Sequence, residues 1–519
     1  MSTDLQAIRE ALEDIRKKML SAEVQRRDML RLVHRSQRIS AANLLHYLAL
    51  RREDLRDLQH DLHNAGLSSL ASSESHALFQ VEAVLERLGT TYAPGRTERY
   101  DYPTAARLLN RRASALFGTK RNQNIPHVMV TFDKALATDY AGVKSLLEAG
   151  MNVARINCAH DKPAIWRSMI ENVRKAARAT GLPCKIYLDL AGPKIRTAIL
   201  GKGRNKERVK LKKDERFLLV EPDAVFDKNL KAVGCTQPGV VRDLQSGDRV
   251  LFDDGLIETV VEKTDGSAAT LCVRRLPAAK AKLKAEKGIN FPDTELSIRC
   301  LTEFDKSVLP FARKYADAVG FSFVRHPDEV AELQALLRAE KGRRLPIVLK
   351  IETLDAVQNL PALLMQGMQE PLFGVMIARG DLAVEIGFER LSEIQEEILW
   401  ICEAAHVPVI WATQVLETLN KSGVATRSEV TDAARAAHAE CVMLNKGKYL
   451  LTVLATLRDI LHRSGGHHLK KRYVFRPLNI AERFLQKKSK IKKERLPNNK
   501  GHFRMGQKWP RPFDFSDAP

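Results

Sequence analysis

Lys350 and Glu352 stand two residues apart in PIVLKIETLDAV, residues 346–357. The run reads as a short buried strand, on which side chains two apart share a face. A buried ammonium and a buried carboxylate each need a partner or a ligand, because an uncompensated charge out of water is costly. A structural ion pair would satisfy both. Other apolar runs end in the same way: Arg155 and Asn157 close NVARIN, and Asp189 closes CKIYLDL with Lys194 and Arg196 just beyond. Arg379, Gly380 and Asp381 follow FGVMIA, and Thr413 closes PVIWAT. The carboxylates Glu352 and Asp381 suit Mg²⁺ (or Mn²⁺), which takes oxygen ligands and keeps positions for water and substrate phosphate. The cations Arg155, Arg196 and Lys350 would face whatever that metal holds. Metal and cations around one cavity fit a phosphorylated, multiply anionic substrate and phosphoryl transfer.

For these residues to meet, the elements carrying them must converge. From about residue 125, short apolar runs alternate with amphipathic helical stretches: HVMVTF, NVARIN, CKIYLDL, ADAVGFS, PIVLKIE, FGVMIAR, PVIWAT and ECVMLN. Eight such pairs predict an α/β fold, a (β/α)₈ TIM barrel, whose chemistry sits at the C-terminal strand ends. Roughly a hundred residues separate CKIYLDL from TEFDKSVLPFARKY, and they break into short alternating runs bounded by Gly and Asp. This predicts a small β-barrel lid domain inserted at the third strand. Before the barrel, Leu5, Ile8, Leu12, Ile15 and Met19 recur at three and four apart, which predicts an all-α N-terminal region. The expected divisions are 1–118 helical, 119–197 and 291–463 barrel, 198–290 lid, and 464–519 a basic tail.

An apolar fraction of 44% with 28% charged residues is that of an ordinary globular protein, and no apolar run reaches membrane-spanning length. Seven scattered cysteines argue against a disulfide framework, and a cytoplasmic location without membrane attachment is expected. The formal charge of +21 is uneven: from Arg463 onward there are 16 basic against 4 acidic residues, a net of +12. Such a tail suits polyanion binding.

Five spaced motifs, GMNVARINCAH, LDLAGPKIRT, LKIE, ARGDLAVEI and ATQVLE, resemble those of the pyruvate kinase family over roughly residues 125–463. FDDGLI and KGINFP are similar to the family's lid and its return to the barrel. The resemblance implies transfer of the phosphoryl group of phosphoenolpyruvate to ADP, giving pyruvate and ATP. It implies Arg155, Asn157, His160 and Arg196 on the nucleotide phosphates, with Lys287 near the lid hinge and Asp189 in the same set. It further implies Lys350 as the catalytic lysine and Glu352 and Asp381 as metal ligands. The amides of Gly380 and Asp381 would meet the substrate carboxylate, and Thr413 would lie near the reacting carbon.

Departures accompany the likeness. TFDKALATD stands where the family runs into a Gly-Pro-Ala-Ser turn, and CVMLNKGKYLL lacks its Ser-Gly-Glu-Thr-Ala stretch. The family's C-terminal effector domain has no counterpart in this reading, so fructose bisphosphate is expected to have no effect. Many relatives hold a monovalent cation through a serine and a threonine that are Ala159 and Leu190 here, with Lys194 at a nearby glutamate position. A potassium requirement is therefore not expected. Two other functions compete: aldol or lyase chemistry on a pyruvate-like acid through an Mg²⁺ enolate, and a catalytically silent barrel that binds RNA through its tail. Homo-oligomerisation is left open.

Overall fold

Eight short strands, buried along nearly their whole length, pair side by side and close on themselves. They are β1 (His127–Thr131), β2 (Val153–Asn157), β3 (Lys185–Asp189), β4 (Ala318–Phe321), β5 (Ile347–Ile351), β6 (Phe373–Ala378), β7 (Val409–Ala412) and β8 (Cys441–Leu444). Every neighbouring pair is parallel, in the order β1-β8-β7-β6-β5-β4-β3-β2, and the ring is closed. Strands with covering on both faces need no polar alternation, which is why the sequence shows continuous Val, Ile, Leu and Met runs. The structure is a computed structural model that describes residues 4–92, 99–120, 125–200, 208–227, 229–339, 344–465, 468–469 and 472–473. The expected basic tail therefore lies outside the described residues apart from its first few positions.

The helices between strands bury one stripe and expose the other. Pro163–Thr180 is representative: Pro163 opens it, Trp166, Met169, Ile170, Val173 and Ala176 face the barrel, and Gly181 stops it at φ 68°. Among the described residues no helix is long and apolar enough to cross a membrane. All seven cysteines are free.

The N-terminal region is helical. Asp4 caps Leu5–Gln25 by accepting from the amides of Gln6 and Ala7, and Ile8, Leu12, Ile15 and Met19 form its buried stripe. Helix Tyr102–Phe117 goes further and plugs the barrel. Its Ala113, Leu116 and Phe117 join Met129, Val153, Tyr187, Val348, Met376, Ile410 and Met443 in the barrel interior. Gly374 on β6 makes that entry possible, since a Cβ there would sit 2.7 Å from a Leu116 methyl. One residue of this helix, Arg112, is buried against the His406 carbonyl (2.9 Å), Ser40 Oγ (3.0 Å) and the Ser36 carbonyl (2.9 Å). Neutral acceptors do not offset the loss of water, and burial pushes this guanidinium down to about 10.

Between β3 and the helix Glu303–Tyr315 lies the lid. Its strands form a seven-stranded sheet and a separate two-stranded ribbon around their own apolar core. The chain enters through Thr197–Ala198 and leaves through Ile289–Asn290, so both crossings sit beside the C-terminal end of β3.

Candidate active site

Strands β2, β3 and β5 bring an arginine, an aspartate, a lysine and a glutamate into one buried cluster. Arg155 Nε donates to Asp189 Oδ2 at 2.9 Å, its Nη2 bonds the same oxygen, and its Nη1 donates to Thr131 Oγ1 at 3.0 Å. Lys350 Nζ lies 3.0 Å from Glu352 Oε1 and 3.4 Å from Asp189 Oδ2, and donates to Ser322 Oγ at 2.8 Å. The other Glu352 oxygen accepts from the Phe323 amide at 2.6 Å. Gly320 on β4 leaves the room required: a Cβ there would overlap the Tyr187 hydroxyl and the Asp189 carboxylate.

The charges in this cluster set one another's protonation. Burial alone would raise the Asp189 carboxyl, yet the Lys350 and Arg155 charges hold it below the ordinary range. Burial would likewise lower Lys350, but Asp189 and Glu352 keep its ammonium above its usual value. Glu352 is the exception: burial, with the charge of Asp381 added, outweighs Lys350 and raises it.

Across the cavity, Lys194 sets its ammonium on both Asp381 oxygens, at 2.8 and 3.2 Å. Asp381 lies in the first turn of helix Arg379–Ile386, which begins where β6 ends. Thr413, just past β7, holds φ 66° and accepts the Gly380 amide on Oγ1 at 2.8 Å. The Gly380 N–H expected for a substrate carboxylate is thus already engaged, a consequence of the left-handed turn that brings the threonine over the helix start. Arg379 departs from expectation too. It turns from the cavity to bond the Ala412 carbonyl (3.0 Å), the Thr413 carbonyl and both Asp432 oxygens, stacking 4.5 Å over Trp411. It braces the β7 end instead of facing the mouth, because a buried guanidinium takes the nearest carboxylate.

One cavity of about 250 Å³ is lined by Arg155, Asn157, His160, Lys194, Arg196, Lys350, Glu352, Asp381 and Thr413, together with Ala159 and Leu190. Asn157 uses its carboxamide oxygen to accept the Ala159 amide at 3.0 Å, fixing the turn that presents His160. Burial, with the nearby charges of Lys446 and Arg196, lowers the His160 imidazole below its usual value. Arg196 donates to the Glu286 carbonyl at 2.9 Å and so ties the lid hinge to the cavity. Lys287 is not brought in: its ammonium lies on Asp253 at 2.7 Å, within the lid. Sequence reading missed Ser322, although its place just after β4 was a signal. It also missed Lys446, which follows β8.

Among the described residues no group of three or more His, Cys, Asp or Glu side chains could hold a metal ion. Glu352 and Asp381 nevertheless face one cavity, and the charge of one raises the other. Two hard oxygen donors whose repulsion a cation would relieve fit Mg²⁺ chemistry, in which water and substrate supply the remaining ligands.

A sequence profile described as "Pyruvate kinase, barrel domain" matches residues 127–450. The chain belongs to the pyruvate kinase family. It is 34% identical to pyruvate kinase of Geobacillus stearothermophilus over 326 residues, 62% of this chain and 53% of that one. Against human pyruvate kinase PKLR the identity is 34% over 312 residues, 58% of this chain and 53% of the relative. Against pyruvate kinase of Clostridium acetobutylicum it is 31% over 325 residues, 61% and 66%. The chain spans about half the length of the first two relatives. The family read from the five motifs is borne out, as is the barrel.

In a neighbouring pocket of this pyruvate kinase barrel, which shares Lys194 and Asp381 with the cavity, Glu385 accepts from Asn290 Nδ2 at 2.8 Å, where the lid returns. Burial pushes its carboxyl up to about 7 from 4.5. Folding then favours the protonated acid: the stabilisation is complete below pH 4.5 and is lost as the pH rises through 7. In metal-free buffer, Glu385→Gln should flatten this loss and raise stability at pH 8 by up to about 3 kcal/mol. Denaturant midpoints at pH 5 and pH 8 measure it; equal pH dependence in both proteins contradicts it.

Proposed function

We propose that this chain is an enzyme that moves the phosphoryl group of phosphoenolpyruvate to ADP, giving pyruvate and ATP. The observation that carries the reading is the Lys350 ammonium, which is buried between Asp189 and Glu352 and opens onto the same cavity as Asp381, Arg155 and Arg196. Glu352 and Asp381 would hold Mg²⁺ or Mn²⁺, which when bound supplies positive charge against the phosphoryl and enolate oxygens. Lys350 neutralises charge that develops on the transferring phosphoryl, from a position its two carboxylate partners fix before substrate arrives. Asp189 positions Arg155, which with Arg196, Asn157 and His160 orients the nucleotide phosphates. Thr413 places a proton donor at the enolate carbon. Lys287, held on Asp253 at the lid hinge, would add its charge from the lid side.

The same reading makes a monovalent cation unnecessary. Ala159 and Leu190 line the cavity without side-chain oxygens, and Lys194 supplies a tethered positive charge at Asp381. It also places the enzyme in the cytoplasm, where both substrates occur.

Pyruvate formation from phosphoenolpyruvate that requires both ADP and a divalent cation tests this function. Pyruvate release without ADP would favour enolate lyase chemistry instead, and no turnover under any condition would favour a silent barrel.

A further inference from the structure

Away from the cavity, the lid displays a face that the proposed reaction does not use. Strand Arg208–Lys212 pairs antiparallel with Lys280–Lys284 as a two-stranded ribbon separate from the seven-stranded sheet. Val209, Leu211, Ala281 and Leu283 are buried in the lid core, and the residues between them are exposed. All six are cations, and the register sets Lys212 opposite Lys280, Lys210 opposite Lys282, and Arg208 opposite Lys284.

Like charges directly opposed across strands destabilise a sheet. Relief was within reach, because elsewhere on the lid Arg216 pairs with Glu262, Arg249 with Asp293 and Arg275 with Glu258. The one carboxylate at the ribbon is Glu215, which accepts the Lys212 amide at 2.9 Å and is held by Lys231, and among the described residues none of the six ribbon cations is itself in a salt bridge. Lysine on an exposed ribbon discourages edge-to-edge aggregation. Charges of mixed sign would keep the face just as soluble without the repulsion, so solubility leaves the single sign unexplained. A ligand that supplies the missing negative charge explains it.

We propose that this ribbon binds the sugar-phosphate backbone of single-stranded RNA. Cations recur about 6.8 Å apart along each strand, in two rows about 5 Å apart, which presents a regular positive lattice to an extended polyanion. Among the described residues the outward positions of the two strands carry no apolar side chain to enter a bilayer, which separates the ribbon from membrane-surface elements that combine cations with an apolar insertion. Its six exposed side chains can contact only phosphates, which carry no sequence information, so binding would not depend on sequence.

The test uses the full-length protein and a fluorescent 20-nucleotide single-stranded RNA, with dissociation constants measured from 50 to 300 mM potassium chloride. Replacing Lys210, Lys212, Lys280 and Lys282 by glutamine should weaken binding at least about a hundredfold at 0.1 M salt, since each phosphate contact is worth about fivefold there. The slope of log affinity against log salt should fall by about 3. The thermal midpoint should hold or rise, because repulsion has been relieved. A control with the same charge change at Lys17, Lys175, Lys263 and Lys314 should lose less than about threefold. The proposal is overturned if the unmodified protein does not bind the RNA, if the ribbon variant keeps its affinity and slope, or if the control loses as much. Tighter binding to phosphatidylserine vesicles than to RNA, abolished by the same ribbon substitutions, would overturn it in favour of a membrane.

Discussion

Lys350→Met is expected to lower the kcat of the proposed phosphoryl transfer by about a thousandfold while the KM for phosphoenolpyruvate changes little. An ammonium aimed at charge that appears only in the transition state contributes to kcat and not to ground-state binding. Its geometry supports that role, since Ser322 Oγ at 2.8 Å and Glu352 at 3.0 Å leave the group no freedom to wander. The substitution also leaves Asp189 and Glu352 without their shared cation, and removing one partner of a buried pair costs about 3–5 kcal/mol. The variant is therefore assayed at low temperature beside its circular dichroism spectrum. Lys350→Arg, which keeps the charge but moves it, should fold better and turn over almost as poorly. A kcat within tenfold of the parent in a folded Lys350→Met protein contradicts the assignment.

Lys194→Ala is expected to lower kcat/KM by about tenfold to a hundredfold, and potassium should not restore it. In the structure this ammonium contacts both oxygens of Asp381. Its loss leaves Asp381 and Glu352 repelling each other with one less cation to moderate them. Potassium would find no hydroxyl ligands at Ala159 or Leu190. The unmodified protein should show the same rate whether sodium, potassium or tetramethylammonium is the sole monovalent cation. A several-fold activation by potassium, or an unimpaired Lys194→Ala protein, contradicts this role for Lys194.

Much of the architecture was legible because its signals are local. Eight apolar runs at regular spacing, with polar residues at their C-terminal ends, predict the barrel, and the structure brings most of those polar ends to one cavity. What escaped were choices made between distant segments. Nothing near Arg379 in sequence announces Asp432, so its turn away from the mouth could not be read from ARGD. The Gly380 amide was lost to Thr413 for a related reason: a left-handed φ at a threonine has no sequence signature. Lys194 was expected beside an ion site, and the structure adds Asp381, 187 residues away, as its partner. Ser322 is different. It stood in plain view after β4, and the strand-end rule applied to Arg155 and Asp189 would have found it.

The central claim is direct phosphoryl transfer between two substrates held at one cavity, and isotope-labelled phosphoenolpyruvate follows it most directly. With ³²P in its phosphoryl group, ADP and Mg²⁺, the label should appear in the γ-phosphate of ATP in step with pyruvate, one for one, and Lys350→Met should abolish both. Label released as inorganic phosphate while pyruvate accumulates, or label retained in phosphoenolpyruvate under every condition, would contradict the account.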